Sequence, residues 1–164
     1  MKICTFKILF HISFFPIIII FNPQLLSKPV NRRSINQEGS PFISQYFSDD
    51  YKAFSQNWAV VQDSFGIMYF GNGDGVLTYD GTNWNLITLP NQGTVFALAK
   101  DKKGKIFVGA MGDMGYLKPD SIGRLLYVSL LPLLKKDDRN FSLIRKVYTS
   151  AKGIYFQSPE VLFY

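Results

Sequence analysis

Two glycine-rich stretches hold the polar groups of this chain whose spacing comes nearest to chemistry: Gly71-Asn72-Gly73-Asp74-Gly75 and Gly109-Ala110-Met111-Gly112-Asp113-Met114-Gly115. A phosphate loop would need Lys-Ser/Thr and a following helix to supply an anion-binding N-terminus, and neither stretch has them. A calcium loop would need more carboxylates and a closing Glu about twelve residues along. A tight turn between two strands needs only Gly, Asn and Asp, and that is the reading the residues support. As ligand contacts, the candidates are therefore turn residues, Asn72, Asp74 and Asp113, together with the indole of Trp84 as a stacking surface. Trp58 is expected in the core. The acid pairs Asp49-Asp50 and Asp137-Asp138 sit beside polar or basic residues, and neighbours in sequence rarely face each other across a substrate. No catalytic residue, metal site or cofactor is assigned. The single histidine, His11, and the single cysteine, Cys4, both fall in an apolar leader, which leaves no imidazole for acid–base work beyond it.

That leader is short and basic from Met1 to Lys7 and almost wholly apolar from Ile8 to Phe21. About fourteen apolar residues is short for a membrane span and suits a secretory segment. Residues 1–27 are read as a cleaved signal peptide or an uncleaved anchor, so the mature chain is expected on the periplasmic or extracellular side of a bacterial inner membrane. Residues 28–56 read as a lead-in, with Pro41-Phe42-Ile43 as its candidate first strand. The net charge of +6 is dispersed among acids or placed at predicted turns, as at Lys100, Lys102, Lys103 and Lys105, and no basic stripe interleaves with stacking aromatics. Nucleic-acid binding is thereby excluded. Membrane contact is expected only through the leader or a downstream helix.

The elements that must position the candidate residues are strands. Aromatic residues make up 16% of the chain, a composition that favours β-structure. Laid on itself at an offset of 38, Trp58-Ala59-Val60-Val61-Gln62-Asp63-Ser64-Phe65-Gly66 falls on Phe96-Ala97-Leu98-Ala99-Lys100-Asp101-Lys102-Lys103-Gly104, and Met68-Tyr69-Phe70-Gly71 on Ile106-Phe107-Val108-Gly109. Allowing an insertion of one or two residues, Gly75-Val76-Leu77 falls on Gly115-Tyr116-Leu117. A looser third copy runs from Val147 to Phe156 and then Val161-Leu162-Phe163-Tyr164. Asp-x-x-Gly predicts a hairpin with positive φ at Gly66 and Gly104, and Tyr79-Asp80-Gly81 predicts a turn into a strand near Trp84. Gly71 and Gly109 end second strands, where the missing Cβ lets neighbouring backbone come close. Residues 121–140 break the pattern and read as a short helix or connecting loop. A period of short strands in this length range points to propeller blades, at about 57–92, 93–140 and, incompletely, 141–164.

The first copy, from Trp58-Ala59-Val60-Val61-Gln62-Asp63 through Gly66, Gly71 and Gly75 to Tyr79-Asp80-Gly81, resembles the two-component regulator propeller repeat. The second copy departs from it at Lys118-Pro119-Asp120, and the third lacks the Asp and the glycine after its aromatic strand. The resemblance implies an all-β fold, a partial β-propeller of about three repeats following a signal segment. It implies a non-catalytic, ligand-sensing role in the extracytoplasmic part of a hybrid two-component receptor. The implied partners are a small-molecule or glycan ligand, further propeller blades and downstream signalling domains. The alternative is a fragment of a secreted propeller lectin or polysaccharide-active enzyme. Three repeats, the last cut short, cannot close a propeller, so apolar sheet faces are expected to stand open.

Overall fold

The computed structural model describes residues 42–164. The leader, with Cys4 and His11, lies outside the described residues, as does Pro41. Phe42 and Ile43 are not a strand: neither pairs with another segment, and they are 95% and 76% exposed. Two apolar residues with no neighbouring backbone have nothing to complete a ladder.

The unit Ser44–Tyr164 is all-β, with three antiparallel sheets. The first sheet holds β1 (Asn57–Gln62), β2 (Met68–Asn72), β3 (Gly75–Tyr79) and β4 (Trp84–Ile87) in sequential order. The second holds β5 (Val95–Lys100), β6 (Ile106–Ala110), β7 (Asp113–Pro119) and β8 (Leu125–Ser129) in the same order. The third holds β9 (Lys146–Thr149), β10 (Ile154–Gln157) and β11 (Leu162–Phe163). Residues 121–140, expected to break the pattern, contain a full strand, β8, followed by 3-10 turns at Leu131–Leu133 and Lys136–Arg139.

The hairpins follow the Asp-x-x-Gly chemistry. One oxygen of Asp63 accepts from the Phe65 and Ile67 amides, and one of Asp101 from the Lys103 and Lys105 amides. Gly66 and Gly104 take φ of 89° and 85°, a region that costs other residues strain. Asp120 repeats the device with Ile122 and Arg124, ending in Gly123 at φ 86°.

Register corrects the repeat. Asn72 pairs with Gly75 and Gly71 with Val76, while Ala110 pairs with Asp113 and Gly109 with Met114. The offset of 38 thus runs unbroken through the second hairpin, and Gly75 corresponds to Asp113, not to Gly115. The extra residues lie in the third hairpin, where the pair Tyr79↔Trp84 becomes Leu117↔Tyr127. Gly115 has a different duty: a Cβ there would lie 2.6 Å from the Tyr127 ring.

The sheets stack face to face with an apolar core in each junction. Tyr69, Val76 and Ile87 of the first sheet meet Val95, Ile106, Val108 and Leu117 of the second. The other face of the second sheet, through Ala97 and Met114, meets Phe141, Ile144, Val147 and Phe156. Close approach depends on two glycines. A Cβ on Gly71 would sit 2.9 Å from the Val95 carbonyl oxygen, and one on Gly109 would sit 2.5 Å from Ile144 Cγ2.

Residues 44–56 form an arm over the first sheet's remaining face. A single turn, α1 (Ser48–Tyr51), ends with Lys52 in the left-handed region. Tyr46 meets Trp84 edge-on at 5.3 Å and shares a 3.0 Å hydroxyl contact with Tyr79; Tyr51 lies 5.4 Å from Trp84.

Candidate functional site

Asn72 is fully buried and holds the arm in place. Its amide nitrogen donates to the Phe54 carbonyl (2.6 Å), the Gln56 carbonyl (3.2 Å) and Asn57 Oδ1 (2.8 Å), while its oxygen accepts from the Asp74 amide. Asp74 in turn accepts from the Phe54 amide at 2.8 Å. These two candidates share one turn, and both are engaged with the segment that leads into β1.

Asp113 is buried one sheet further on, where Oδ1 accepts from Ser129 Oγ (2.7 Å) and from the Met114 amide. Beside it lies the Tyr127 hydroxyl, buried and met by no group in hydrogen-bonding geometry among the described residues. Burial, and then the charge of Asp113, push the Tyr127 pKa far above its usual value. Trp84, the counterpart of Tyr127 in the first sheet, is half-buried among Tyr46, Tyr51, Phe70 and Tyr79, with the Tyr79 ring stacked on it at 4.4 Å. Of the four candidates, only Asn72 and Asp74 are hydrogen-bonded to each other.

The third sheet repeats the turn with other residues. Ser158 stands where Asn72 and Ala110 stand, and its hydroxyl oxygen accepts from the Glu160 and Val161 amides. The Glu160 carboxylate accepts from Ser142 Oγ and Ser158 Oγ, and these bonds, the Ser142 one first, hold its pKa below the usual carboxylate value. Glu160 and Asp74 therefore do the same work: each ties a β2–β3-type turn to the segment entering its own sheet.

A second group was missed by residue-type reasoning. The register of β1 slips between Asn57 and Ala59, and that of β5 between Val95 and Ala97, which leaves Trp58 and Phe96 as the extra residues of β-bulges. Before β9, the Arg145 amide donates to the Gln157 carbonyl opposite Lys146, so Arg145 holds the same place. Bulges turn a side chain away from its strand's alternation. Trp58, expected in the core, is accordingly 41% exposed; Phe54 stacks on it at 6.4 Å and Phe96 meets it edge-on at 5.2 Å. Arg145 is exposed. The signal in the sequence was the alignment of Trp58 with Phe96 ahead of the small residues Ala59 and Ala97. Along consecutive first strands this row offers two aromatic surfaces and a guanidinium, groups that bind rings and anions.

No family model matches the chain, and no curated protein matches it. Among solved structures, the extracellular domain of the hybrid two component system BT3049 from B. thetaiotaomicron is similar, at 17% sequence identity and a TM-score of 0.44. The match covers 65% of this chain and 15% of that one, so the chain spans a small part of the structure it matches.

Proposed function

We propose that this chain is a non-catalytic, ligand-sensing β-propeller segment in the extracytoplasmic part of a bacterial signal-transduction receptor. The observation that supports it most is the repeated junction. Each of the first two sheets presents a Gly–Ala pair, Gly71 with Ala59 and Gly109 with Ala97, to the entry of the next sheet's first strand. A repeated junction of this kind is what the radial stack of propeller blades requires. The Asp-x-x-Gly and Tyr-Asp-Gly turns belong to the same repeat.

In this reading the bulge row of Trp58, Phe96 and Arg145, with Phe54, meets the ligand. Asn72, Asp74 and Asp113 shape the turns around it, and Trp84 anchors the arm. Ligand binding at one propeller face biases the receptor between two signalling states by its differential affinity for them.

Export is tested by fusing residues 1–40 to a reporter active only outside the cytoplasm. Signal is expected, and a silent reporter with stable cytoplasmic product contradicts the location. Sensing is tested in the receptor that carries this chain. W58A and R145A should each abolish the response to its inducing ligand while leaving the protein level unchanged, and an undiminished response contradicts the site.

A further inference from the structure

The hairpins that follow β1, β3, β5, β7 and β9 open at one end of the sheets. Tyr69, whose hydroxyl donates to Asp63 in the first hairpin, shares a cavity wall with Lys103, Gly104 and Lys118. Asp80 and Asn83 share another with Gly123 and Arg124, and Lys102 shares a third with Ser150 and Ala151. The bulge row stands at the starts of β1, β5 and β9, which is the opposite end.

Two of these hairpins have apolar tips: Phe65 is 89% exposed and Ile122 is 72% exposed. Neither turn needs the side chain, because Asp63 and Asp120 hold the amides of those two residues and the following Gly66 and Gly123 supply the positive φ. Around them stand Lys102, Lys103, Lys118 and Lys152, all exposed and with no carboxylate in ion-pair range among the described residues. The acids of this end are engaged in their own turns. Asp63, Asp80 and Asp101 each accept two backbone amides of their hairpin, and Asp120 is paired with Arg124 at 3.0 Å. With Lys100, Lys105 and Arg124 added, cations outnumber acids here.

One exposed apolar residue is ordinary; two at hairpin tips of the same end, among unpaired lysines, are a pattern with a partner. A soluble acidic polymer would satisfy the lysines and leave Phe65 and Ile122 in water. The boundary of an anionic bilayer takes both, since it offers phosphates to the cations and acyl chains to the tips. We propose that this end of the sheets docks on an anionic lipid surface, with Phe65 and Ile122 entering the headgroup boundary and Lys102, Lys103, Lys118 and Lys152 meeting lipid phosphates. Each signal alone holds a protein weakly, and the two together hold it firmly. The bulge row then faces away from the membrane, open to its ligand. This contact is separate from the leader and from any downstream helix, and it depends neither on the propeller reading nor on the ligand.

The test places an indole at each tip of the full chain, as F65W or I122W, and adds vesicles of phosphatidylglycerol and phosphatidylcholine in equal parts with bromine on the acyl chains near the headgroups. The parent chain supplies the background of Trp58 and Trp84. An apolar leader holds the chain on vesicles whichever end of the sheets faces them, so only the tips report orientation. Both tip indoles should shift to the blue and lose about half or more of their added emission. On pure phosphatidylcholine the loss should fall to the parent's level, and with K102E/K103E/K152E it should need about tenfold more lipid. Two positions keep the proposal falsifiable should one indole disturb its turn. The proposal is overturned if the tip indoles of the vesicle-bound chain are quenched no more than the parent's, or if pure phosphatidylcholine or the charge-reversed chain gives the same quenching. It is equally overturned if the lysines bind soluble dextran sulfate while the tips stay unquenched, which would mark a soluble acidic polymer as the partner.

Discussion

Replacing Gly109 with alanine puts a methyl group where the third sheet already lies. The new Cβ would be 2.5 Å from Ile144 Cγ2, 2.9 Å from Ile144 Cβ and 3.0 Å from Val147 Cγ2. Ile144 is fully buried and Val147 nearly so, and Ile144 Cβ moves only with its backbone, so no flexible side-chain end can yield. Backbone strain plays no part, because Gly109 lies outside the positive-φ residues. The cost is therefore overpacking, about 1–3 kcal/mol. Ile144→Ala alone should cost about 2–5 kcal/mol by emptying the same core. In the double variant the added methyl takes up part of the vacated volume, so the two costs should fall short of additivity by about 0.5 kcal/mol or more. Urea denaturation of the full chain and the three variants measures all of this, with an unchanged slope showing that the denatured state is not responsible. The reasoning is refuted if Gly109→Ala lies within about 0.5 kcal/mol of the parent, or if the double variant is additive within about 0.3 kcal/mol.

Gly104→Val meets nothing within 4 Å yet must adopt a φ of 85°, so it should lose roughly 1 kcal/mol or more through the backbone alone, as Gly66→Val should, by the same denaturation assay. Asn72→Ala leaves the Phe54 and Gln56 carbonyls without their donor; a loss of about 1–3 kcal/mol is expected, with faster proteolysis in residues 44–56. Burial, and then the Asp63 hydrogen bond, raise the Tyr69 pKa from 10.0 to about 12. Because the folded value is the higher, this stabilisation is complete below pH 10 and drains away as pH rises to about 12; a pH series of urea midpoints should show that decline, and Tyr69→Phe should make it shallower, leaving the part that Tyr127 contributes.

The parts of the fold written in local chemistry were legible. Asp-x-x-Gly announces the hairpins at Asp63 and Asp101 because the carboxylate and the glycine conformation are both set within four residues. The same spacing recurs at Asp120 and Gly123, where Lys118-Pro119-Asp120 in place of Tyr-Asp-Gly masks it. The match of Gly75 with Gly115 failed for a physical reason: one glycine closes a turn and the other lies beneath the Tyr127 ring, and a shared letter does not distinguish the two duties. The candidate polar residues lie at the second hairpins, Asn72 ending β2, Asp74 in the turn after it and Asp113 opening β7, but their partners lie 16 to 20 residues away in the arm for Asn72 and Asp74, and 16 away in β8 for Asp113. Such pairings depend on how the arm folds back over the first sheet, which no local pattern encodes. The exposure of Trp58 likewise comes from a bulge, a slip in pairing between two strands.

The most direct measurement of the central claim is an experimental structure of the natural polypeptide that carries these residues. The account predicts three consecutive blades about one axis, with β1, β5 and β9 innermost and the Gly71 and Gly109 junctions intact. Sheets that stack in a line without a common axis, or first strands that point away from one another, would contradict it.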